Sequence, residues 1–174
     1  MGTSAIVLTG APGVGKSTVA ALLAHRLPRA AHVEADELHR MIVSGGEWPS
    51  AGTGEAFRQL LLRTRNAAQL AANFSEAAIT PIVDEVIATD DQLAIVDEIL
   101  GGSGVVFVVL AAPPATLLAR DAGRGKHTAS NYMGVAAMVE AVLAGRATFL
   151  DSTHLSPEDT ATAIQELLPD LTRT

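Results

Sequence analysis

One run of nine residues near the start of the chain constrains its fold more than any other: Gly10-Ala11-Pro12-Gly13-Val14-Gly15-Lys16-Ser17-Thr18. It fits the pattern Gly-x-x-x-x-Gly-Lys-Ser/Thr at every fixed position. The glycines of that pattern let the backbone curl until its N–H groups point at phosphate oxygens. Lys16 then reaches the β- and γ-phosphates, and Ser17 offers its hydroxyl to Mg²⁺. We therefore predict that residues 10–18 bind a nucleoside triphosphate, with Lys16 also acting in catalysis.

The segments on either side of this loop have the character that the pattern requires. Ala5-Ile6-Val7-Leu8 is a short apolar run typical of a buried strand. The apolar positions of the next segment follow helical spacing: Val19, Leu22, Leu23 and Leu27. A helix that begins at the loop directs the positive end of its dipole toward the phosphates. The simpler interpretation is a glycine turn with no ligand, but this context favours a phosphate loop.

Length and composition bound the class of protein. The 174 residues, 48% of them hydrophobic, suffice for one domain with a core, which we expect to span residues 1–174. The absence of cysteine excludes disulfides, zinc–thiolate sites and a thiol nucleophile. A net charge of −7 argues against broad binding to nucleic acid or to anionic membranes. No apolar run is long enough to cross a bilayer and no leader precedes the first strand, so we expect a cytoplasmic protein.

Segments with strand character alternate with segments of helical spacing along the chain. The strand candidates are residues 5–8, 31–35, 82–86, 105–111 and 148–150. Such alternation predicts an α/β fold with a parallel sheet. In such a sheet, ligands bind at the carboxyl ends of the strands. In the longest helical pattern, residues 55–74, we place Arg58, Arg63 and Arg65 off the apolar stripe.

Acidic residues accompany the ends of three predicted strands. Glu34 and Asp36 follow the second strand, Asp84 and Glu85 lie in the third, and Asp151 follows the fifth. Phosphoryl transfer requires Mg²⁺ held by hydroxyls or water-linked carboxylates, and a group that orients the attacking hydroxyl. These carboxylates are therefore candidates for both tasks.

Two of these acids have the clearest assignments. Asp84 follows an apolar Ile-Val pair and is expected to steady Mg²⁺ through water, or else it is a helix-capping or surface acid. Asp36 is the candidate that accepts the proton of the substrate hydroxyl. It also suits the N-cap of a helix over residues 38–43, a role compatible with the first. Asp151 is a common type of strand-to-loop acid. Whether Asp36 or another acid is the base stays open.

A basic cluster interrupts this acidic chain and contains Arg120, Arg124, Lys126 and His127. Its charge suggests that it binds a specific anion, and the two glycines within it suggest a segment that can move. We therefore predict a lid over residues 120–130. An ordinary solvated loop is the alternative. His127 either helps to clamp phosphate or is solvated.

A second loop, residues 44–54, is rich in Gly, Ser and Pro and contains Trp48, the only tryptophan. We predict that this loop is mobile and lies on the substrate side. Trp48 would then contact a substrate ring or close over the core. His39 could face the same cleft, but we interpret it as an exposed histidine on a helix.

Four stretches together resemble the small P-loop kinases of the shikimate and gluconate kinase group: residues 10–18, 34–36, 82–84 and 117–124. The chain is also similar to chloramphenicol phosphotransferase, in length and in residues 149–154. The resemblance implies a three-layer α/β/α fold with five parallel strands in the order 2-3-1-4-5. It also implies that Arg120 flanks adenine, that Arg124 and Lys126 approach the phosphoryl group, and that Asp36 is catalytic. It does not extend to a particular substrate.

The leading hypothesis is a kinase that uses ATP and Mg²⁺ to phosphorylate a hydroxyl of a small molecule, such as an antibiotic, a sugar acid or a similar metabolite. One alternative is a non-catalytic ATP-binding module that changes shape for a partner protein. Another is an NTPase switch, or a toxin-like kinase of a cell-wall precursor. The chain has no Asn-Lys-x-Asp stretch for reading guanine, so ATP is favoured over GTP. We expect a monomer or homodimer with no nucleic-acid or membrane partner.

Overall fold

A parallel sheet of five strands lies at the centre of the computed structural model, which describes residues 4–102, 104–123 (side chains up to 120) and 134–168. The strands are β1 (Ala5–Gly10), β2 (Ala30–Glu34), β3 (Thr80–Asp84), β4 (Val105–Ala111) and β5 (Ala147–Asp151). Their order is β2-β3-β1-β4-β5, and every neighbouring pair is parallel. The predicted fold class and the strand order implied by the family resemblance are therefore confirmed.

Helices follow the strands and cover both faces of the sheet. They are α1 (Lys16–Arg26), α2 (Ala35–Arg40), α3 (Gly54–Glu76), α4 (Asp90–Leu100), α5 (Pro114–Gly123), α6 (Val135–Leu143) and α7 (Pro157–Leu167), with a short 3₁₀ turn at Pro49–Ala51. Connections between parallel strands must cross over the sheet, which is why a helix separates each strand from the next.

The two faces of the sheet build two separate cores because side chains alternate along each strand. From the central strand β1, Val7 packs on the core formed with α3, α4 and α6. Its neighbours Ile6 and Leu8 pack on the other core, with α1, α5 and α7. All six residues of β1 are buried, as expected of a central strand covered on both faces.

Side-chain caps lie at the start of several helices. Thr89 accepts a hydrogen bond from the backbone N–H of Gln92 at the start of α4, at 3.2 Å. Ser156 does the same for Asp159 at the start of α7, which has proline at its first position. Each cap satisfies a helical N–H that has no partner within the helix.

The chain departs from the predicted boundaries around the second and third strands. Helix α2 starts directly after β2, with Glu34 as its N-cap residue and Asp36 inside its first turn, so the predicted N-cap position of Asp36 is wrong. The helix ends at Arg40, earlier than predicted. Strand β3 ends at Asp84, the last residue with a partner on β1, and Glu85 lies beyond the strand. Asp36 and Glu85 therefore both lie just beyond the carboxyl ends of their strands.

Candidate active site

A cavity of about 780 Å³ opens at the carboxyl ends of β1, β2 and β3. Its wall contains six of the nine phosphate-loop residues: Pro12, Gly13, Gly15, Lys16, Ser17 and Thr18. Four carboxylic acids also line it, namely Glu34, Asp36, Asp84 and Glu85. Residues from β2, α2, the loop 44–54 and α3 complete the side away from the phosphate loop. The topology therefore places the predicted phosphate loop and the strand-end acids around one space.

The phosphate loop has the backbone conformation that its glycines permit. Gly10, Gly13 and Gly15 have φ angles of 139°, 87° and 107°. These values favour glycine, because a side chain is strained there. A Cβ on Gly10 would also lie 2.4 Å from the carbonyl oxygen of Leu110 on β4. The close approach of loop and strand thus requires glycine at position 10.

Lys16 is the buried cation of this loop, with only 9% of its surface exposed. Its Nζ donates to the carbonyl oxygen of Ala11 at 3.2 Å. Burial lowers the pKa of Lys16, while the carboxylates of Asp84, Asp36 and Glu85 act in the opposite direction. An ammonium has three N–H donors. The arrangement fits phosphate oxygens, which would accept from the remaining donors and supply the missing counter-charge.

The two residues predicted to serve Mg²⁺ line the same cavity. Ser17 is exposed at the start of α1, whereas Asp84 is 5% exposed at the end of β3. Nε2 of His32 lies 3.9 Å from Oδ2 of Asp84. Glu34 is the register partner of Asp84 on β2, and burial, followed by the charge of Asp84, raises the pKa of Glu34. A hydroxyl and a strand-end carboxylate are oxygen ligands suited to Mg²⁺, directly or through water.

Arg63, which the sequence patterns did not indicate as a site residue, lies on α3 with 5% of its side chain exposed. Its Nη2 and Nε donate to the two carboxylate oxygens of Glu85, at 2.5 and 3.2 Å. Its Nη1 donates to Oδ1 of Asp36 at 3.0 Å. Asp36 itself is 52% exposed and faces the cavity. One guanidinium therefore joins the candidate base on α2 to the residue that follows β3.

The placement of Arg63 off the apolar stripe was wrong. Gln59, Arg63 and Ala67 are all buried and are spaced four residues apart, so they lie on one face of α3. A count of apolar residues assigns the two polar members of this row to solvent. The available signal was the regular spacing of Gln59 and Arg63 with the alanine at 67 on the inner face.

Glu85 is the buried partner in this ion pair. Burial raises the pKa of Glu85 to about 7, whereas the charge and hydrogen bonds of Arg63 act in the opposite direction. Oε1 of Glu85 also accepts from the backbone N–H of Val86 at 3.2 Å. Because the guanidinium meets both carboxylate oxygens, the pairing is of the bidentate kind, which fixes orientation as well as charge.

His39 and Trp48 are packed together beside the cavity. Their ring centroids lie 4.4 Å apart with the planes tilted by 40°. His39 is 3% exposed, so its predicted exposed position is wrong, and burial lowers its pKa. Trp48 is 38% exposed and lines the cavity, and the guanidinium carbon of Arg40 lies 5.7 Å from its ring centroid.

The loop 44–54 is attached to α3 by Gln59. The side-chain amide of Gln59 donates to the carbonyl oxygen of Gly45 at 2.8 Å and accepts from the backbone N–H of Glu47 at 2.7 Å. These bonds hold the backbone on the N-terminal side of Trp48 and thereby fix where its ring meets the cavity. The predicted contact of Trp48 with a substrate ring stays a prediction.

Arg120 connects the phosphate loop to the segment after β5. Its Nη1 donates to the carbonyl oxygen of Val14 at 3.0 Å, and its Nη2 donates to that of Ser152 at 2.6 Å. These bonds use the edge of the guanidinium, and its planar faces are the surfaces that stack on rings. Asp151, as expected of a strand-to-loop acid, holds its own turn by accepting from the backbone N–H of Thr153.

The remaining members of the predicted lid, Arg124, Lys126 and His127, lie outside the described residues. Their proposed roles at the phosphoryl group thus stay predictions. Among the helices within the described ranges, none combines the length and the apolar character needed to cross a membrane.

A known protein family resembles this chain in sequence, and known proteins resemble it in structure. A family model for the AAA domain matches residues 6–149. The chain is similar to a sugar kinase from Janibacter sp. HTCC2649, with a TM-score of 0.73 and 21% identity over 99% of each chain. It is also similar to shikimate kinase from Acinetobacter baumannii in complex with shikimate, with a TM-score of 0.71 and 18% identity over 99% of this chain and 96% of that one.

A gluconokinase from Sinorhizobium meliloti 1021 has the same fold, with a TM-score of 0.61 and 20% identity over 97% of this chain and 93% of that one. No curated protein matches the sequence of the chain. At these identities the likeness shows the fold, and the predicted resemblance to small P-loop kinases is confirmed.

Proposed function

The chain belongs to the AAA domain family, and from this premise we propose that it is an ATP-dependent kinase that phosphorylates a hydroxyl group of a small molecule. The observation that carries the proposal is the shared cavity: Lys16 of the phosphate loop, Asp84 and the half-exposed Asp36 all line it. Kinases are prominent among the proteins with the same fold, which supports the assignment.

Bound Mg·ATP would supply the phosphoryl group: the acceptor oxygen bonds to the γ-phosphorus while the bond to the β,γ-bridging oxygen breaks, leaving ADP. The chain's part is to hold the phosphates and to stabilise their charge. The N–H groups of residues 10–18 and the ammonium of Lys16 would bind the phosphates. Ser17 and Asp84 would hold the metal, the latter through water. Arg124 of the predicted lid would add positive charge at the transferred group.

Asp36 would act on the acceptor. Its carboxylate faces the cavity and is half exposed, so a substrate hydroxyl can approach it. In this role Asp36 accepts a hydrogen bond from the hydroxyl and takes its proton as the oxygen bonds to phosphorus. The hydrogen bond from Arg63 to Oδ1 orients the carboxylate, and Oδ2 is the oxygen we assign to the acceptor.

The alternative functions differ in whether they require the carboxylate of Asp36. A non-catalytic ATP-binding module needs the phosphate loop but has no use for a carboxylate held beside it. A toxin-like kinase of a cell-wall precursor would use the same residues on a larger acceptor. The small-molecule kinase is the proposal that uses both the phosphate loop and the strand-end acids within a cavity of this size.

The experiment that tests the proposal measures binding and transfer separately. Calorimetry gives the affinity for Mg·ATP, and mass spectrometry detects phosphorylated products after incubation with Mg·ATP and pooled hydroxyl compounds. We expect both binding and transfer, with transfer lost in the Asp36→Asn variant. Tight binding of Mg·ATP with no transfer to any pool would instead favour the regulatory module.

A further inference from the structure

The acceptor side of the cavity contains two arginines, and both already have carboxylate partners within the chain. We call the part lined by Asp36, Arg40, Trp48, Arg63 and Glu85 the acceptor end. Arg63 is bound by Glu85 and Asp36, at 2.5 and 3.0 Å. Arg40 is paired with Glu37 on the same helix. Neither arginine that lines the described part of the cavity thus presents an uncompensated charge.

Of the two arginines, Arg63 has the stronger effect on whether an anionic substrate can bind, because it is buried. Three of its nitrogens donate to the carboxylates of Glu85 and Asp36. A guanidinium recognises a carboxylate through this same fork of donors. The Nε–Nη2 edge, which binds a carboxylate through two parallel bonds, is occupied by Glu85, so an anionic substrate could take this edge only by displacing Glu85. Because the displaced carboxylate would then lie in the cavity without its partner, such binding is unfavourable.

The charges of the residues that line the cavity also disfavour an anionic acceptor. Apart from Lys16, which belongs to the phosphate loop, the described lining contains four carboxylic acids and two arginines. The acids are Glu34, Asp36, Asp84 and Glu85. Bound nucleotide would add further negative charge nearby. An acceptor that carries a carboxylate or phosphate would be repelled, whereas a neutral or cationic acceptor would not.

Apolar side chains supply the remaining surface. Trp48, Pro49, Leu60 and Val86 line the same cavity as these charges. Trp48 is anchored by His39 on one side and is partly exposed, so its ring offers a flat hydrocarbon surface to a ligand. A compound with a ring or hydrocarbon face next to its hydroxyl would match this wall.

We infer that the phosphoryl acceptor is a neutral or positively charged hydroxyl compound with an apolar face, and not a carboxylic or phosphoric acid. The inference rests on the proposed function for the reaction itself. The charge selectivity of the acceptor end can be measured separately, without phosphoryl transfer.

Trp48 provides that measurement because it is the only tryptophan of the chain. Its fluorescence is quenched by the anion iodide, the cation caesium or neutral acrylamide, each compared with N-acetyltryptophanamide at constant low ionic strength. The experiment is done at about pH 8.5, above the pKa of about 7 of Glu85, so that this carboxylate is ionised. When each quenching constant is divided by that of N-acetyltryptophanamide, we expect the value for caesium to be at least about twofold larger than the value for iodide. Equal quenching, or stronger quenching by iodide, would overturn the inference.

Two variants test whether the quenching reports on the acceptor end. Glu85→Gln removes one partner of Arg63, and Glu37→Gln removes the partner of Arg40 at the surface, where folding is not at risk. Both should raise quenching by iodide relative to caesium. If Glu85→Gln does not fold, Glu37→Gln still decides. An unchanged ratio in folded protein would show that paired carboxylates do not set the local charge, which contradicts the inference.

Phosphoryl transfer separates this inference from the proposed function. Hydroxyl compounds are supplied with Mg·ATP in three pools, anionic, neutral and cationic. Transfer in the neutral or cationic pool supports the inference. Transfer in the anionic pool alone overturns it while supporting the kinase assignment. If no pool is phosphorylated, the proposed function fails, and the quenching comparison still decides the charge preference.

Discussion

The guanidinium of Arg63 contacts both carboxylate oxygens of Glu85, a residue 22 positions away in the chain, and 5% and 1% of the two side chains are exposed. A third donor of the same guanidinium binds Asp36. Helix α3 is thereby attached to the residue after β3 and to the first turn of α2. This ion pair determines the charge of the acceptor end, the orientation of the candidate base and two measurable properties of the protein.

The first property is the pH dependence of stability. Burial raises the pKa of Glu85 from 4.5 to about 7, so the folded state holds this proton more tightly than the unfolded state does. Its contribution to the free energy of unfolding is therefore complete below about pH 4.5 and is lost as the pH rises through 7. We expect the stability of the wild type, relative to Glu85→Gln, to fall over this range by up to about 3 kcal/mol. Urea unfolding at several pH values measures it, and parallel profiles would contradict it.

The second property is the cost of removing the cation. Arg63→Met leaves Glu85 buried without its partner, and we expect a loss of about 3–5 kcal/mol in the free energy of unfolding at pH 8. Arg58→Met is the matched control, because Arg58 lies on the same helix but pairs with Glu55 in solvent, where such a pair contributes about 0–1 kcal/mol. Urea unfolding of the two variants gives the comparison. Similar losses of free energy of unfolding in the two variants would show that the buried pair stabilises the fold no more than the exposed pair does.

Removal of Lys16 should affect the ligand more than the fold. Lys16→Ala should abolish or strongly weaken binding of Mg·ATP, because the buried ammonium is the cation of the phosphate loop. Its melting temperature without nucleotide should hardly move, because Lys16 belongs to neither apolar core and burial disfavours its charge. Calorimetry and thermal melting provide the two readouts. Unchanged affinity for Mg·ATP would refute the phosphate-loop assignment.

Replacement of Asp36 should affect transfer and leave binding intact. Asp36→Asn keeps an oxygen for the bond from Arg63 but removes the proton acceptor. We expect phosphoryl transfer to fall by about 10²- to 10⁴-fold with little change in the affinity for Mg·ATP. Glu98→Gln is the control and should retain the rate, because Glu98 lies on α4 and pairs with Arg65 at the surface. Normal turnover in Asp36→Asn would transfer the role of base to another acid, with Asp84 next.

The basic cluster should respond to nucleotide. Arg120→Ala removes the bonds to the carbonyl oxygens of Val14 and Ser152, so we expect mainly weaker binding of Mg·ATP. Arg124→Ala should instead lower turnover more than affinity, because positive charge there is most useful as the phosphoryl group moves. Hydrogen exchange over residues 120–130 should slow when a non-hydrolysable ATP analogue and Mg²⁺ are added. Unchanged exchange and wild-type behaviour of both variants would identify a solvated loop.

Features whose physical cause is local follow from the sequence alone. The phosphate loop follows from glycines, a lysine and a hydroxyl within nine residues, and the conformations of Gly10, Gly13 and Gly15 agree with it. The alternation of strand and helix patterns was enough for the parallel α/β class. The caps at Thr89 and Ser156 depend on bonds that span three residues. Such features can be read from sequence because all their partners lie within one short stretch.

The burial of side chains at the acceptor end, and the pairing of charges there, depend on contacts between distant parts of the chain. Arg63 meets partners 22 and 27 residues away, and His39 is covered by Trp48 from a separate loop. A periodicity count assigns charged and polar residues to solvent, because burying them without a partner is unfavourable. That assignment fails when the fold supplies the partner, since a satisfied ion pair can occupy a buried position that an isolated charge cannot. These partners meet only because the fold brings α2, α3 and the end of β3 together at the carboxyl ends of the strands.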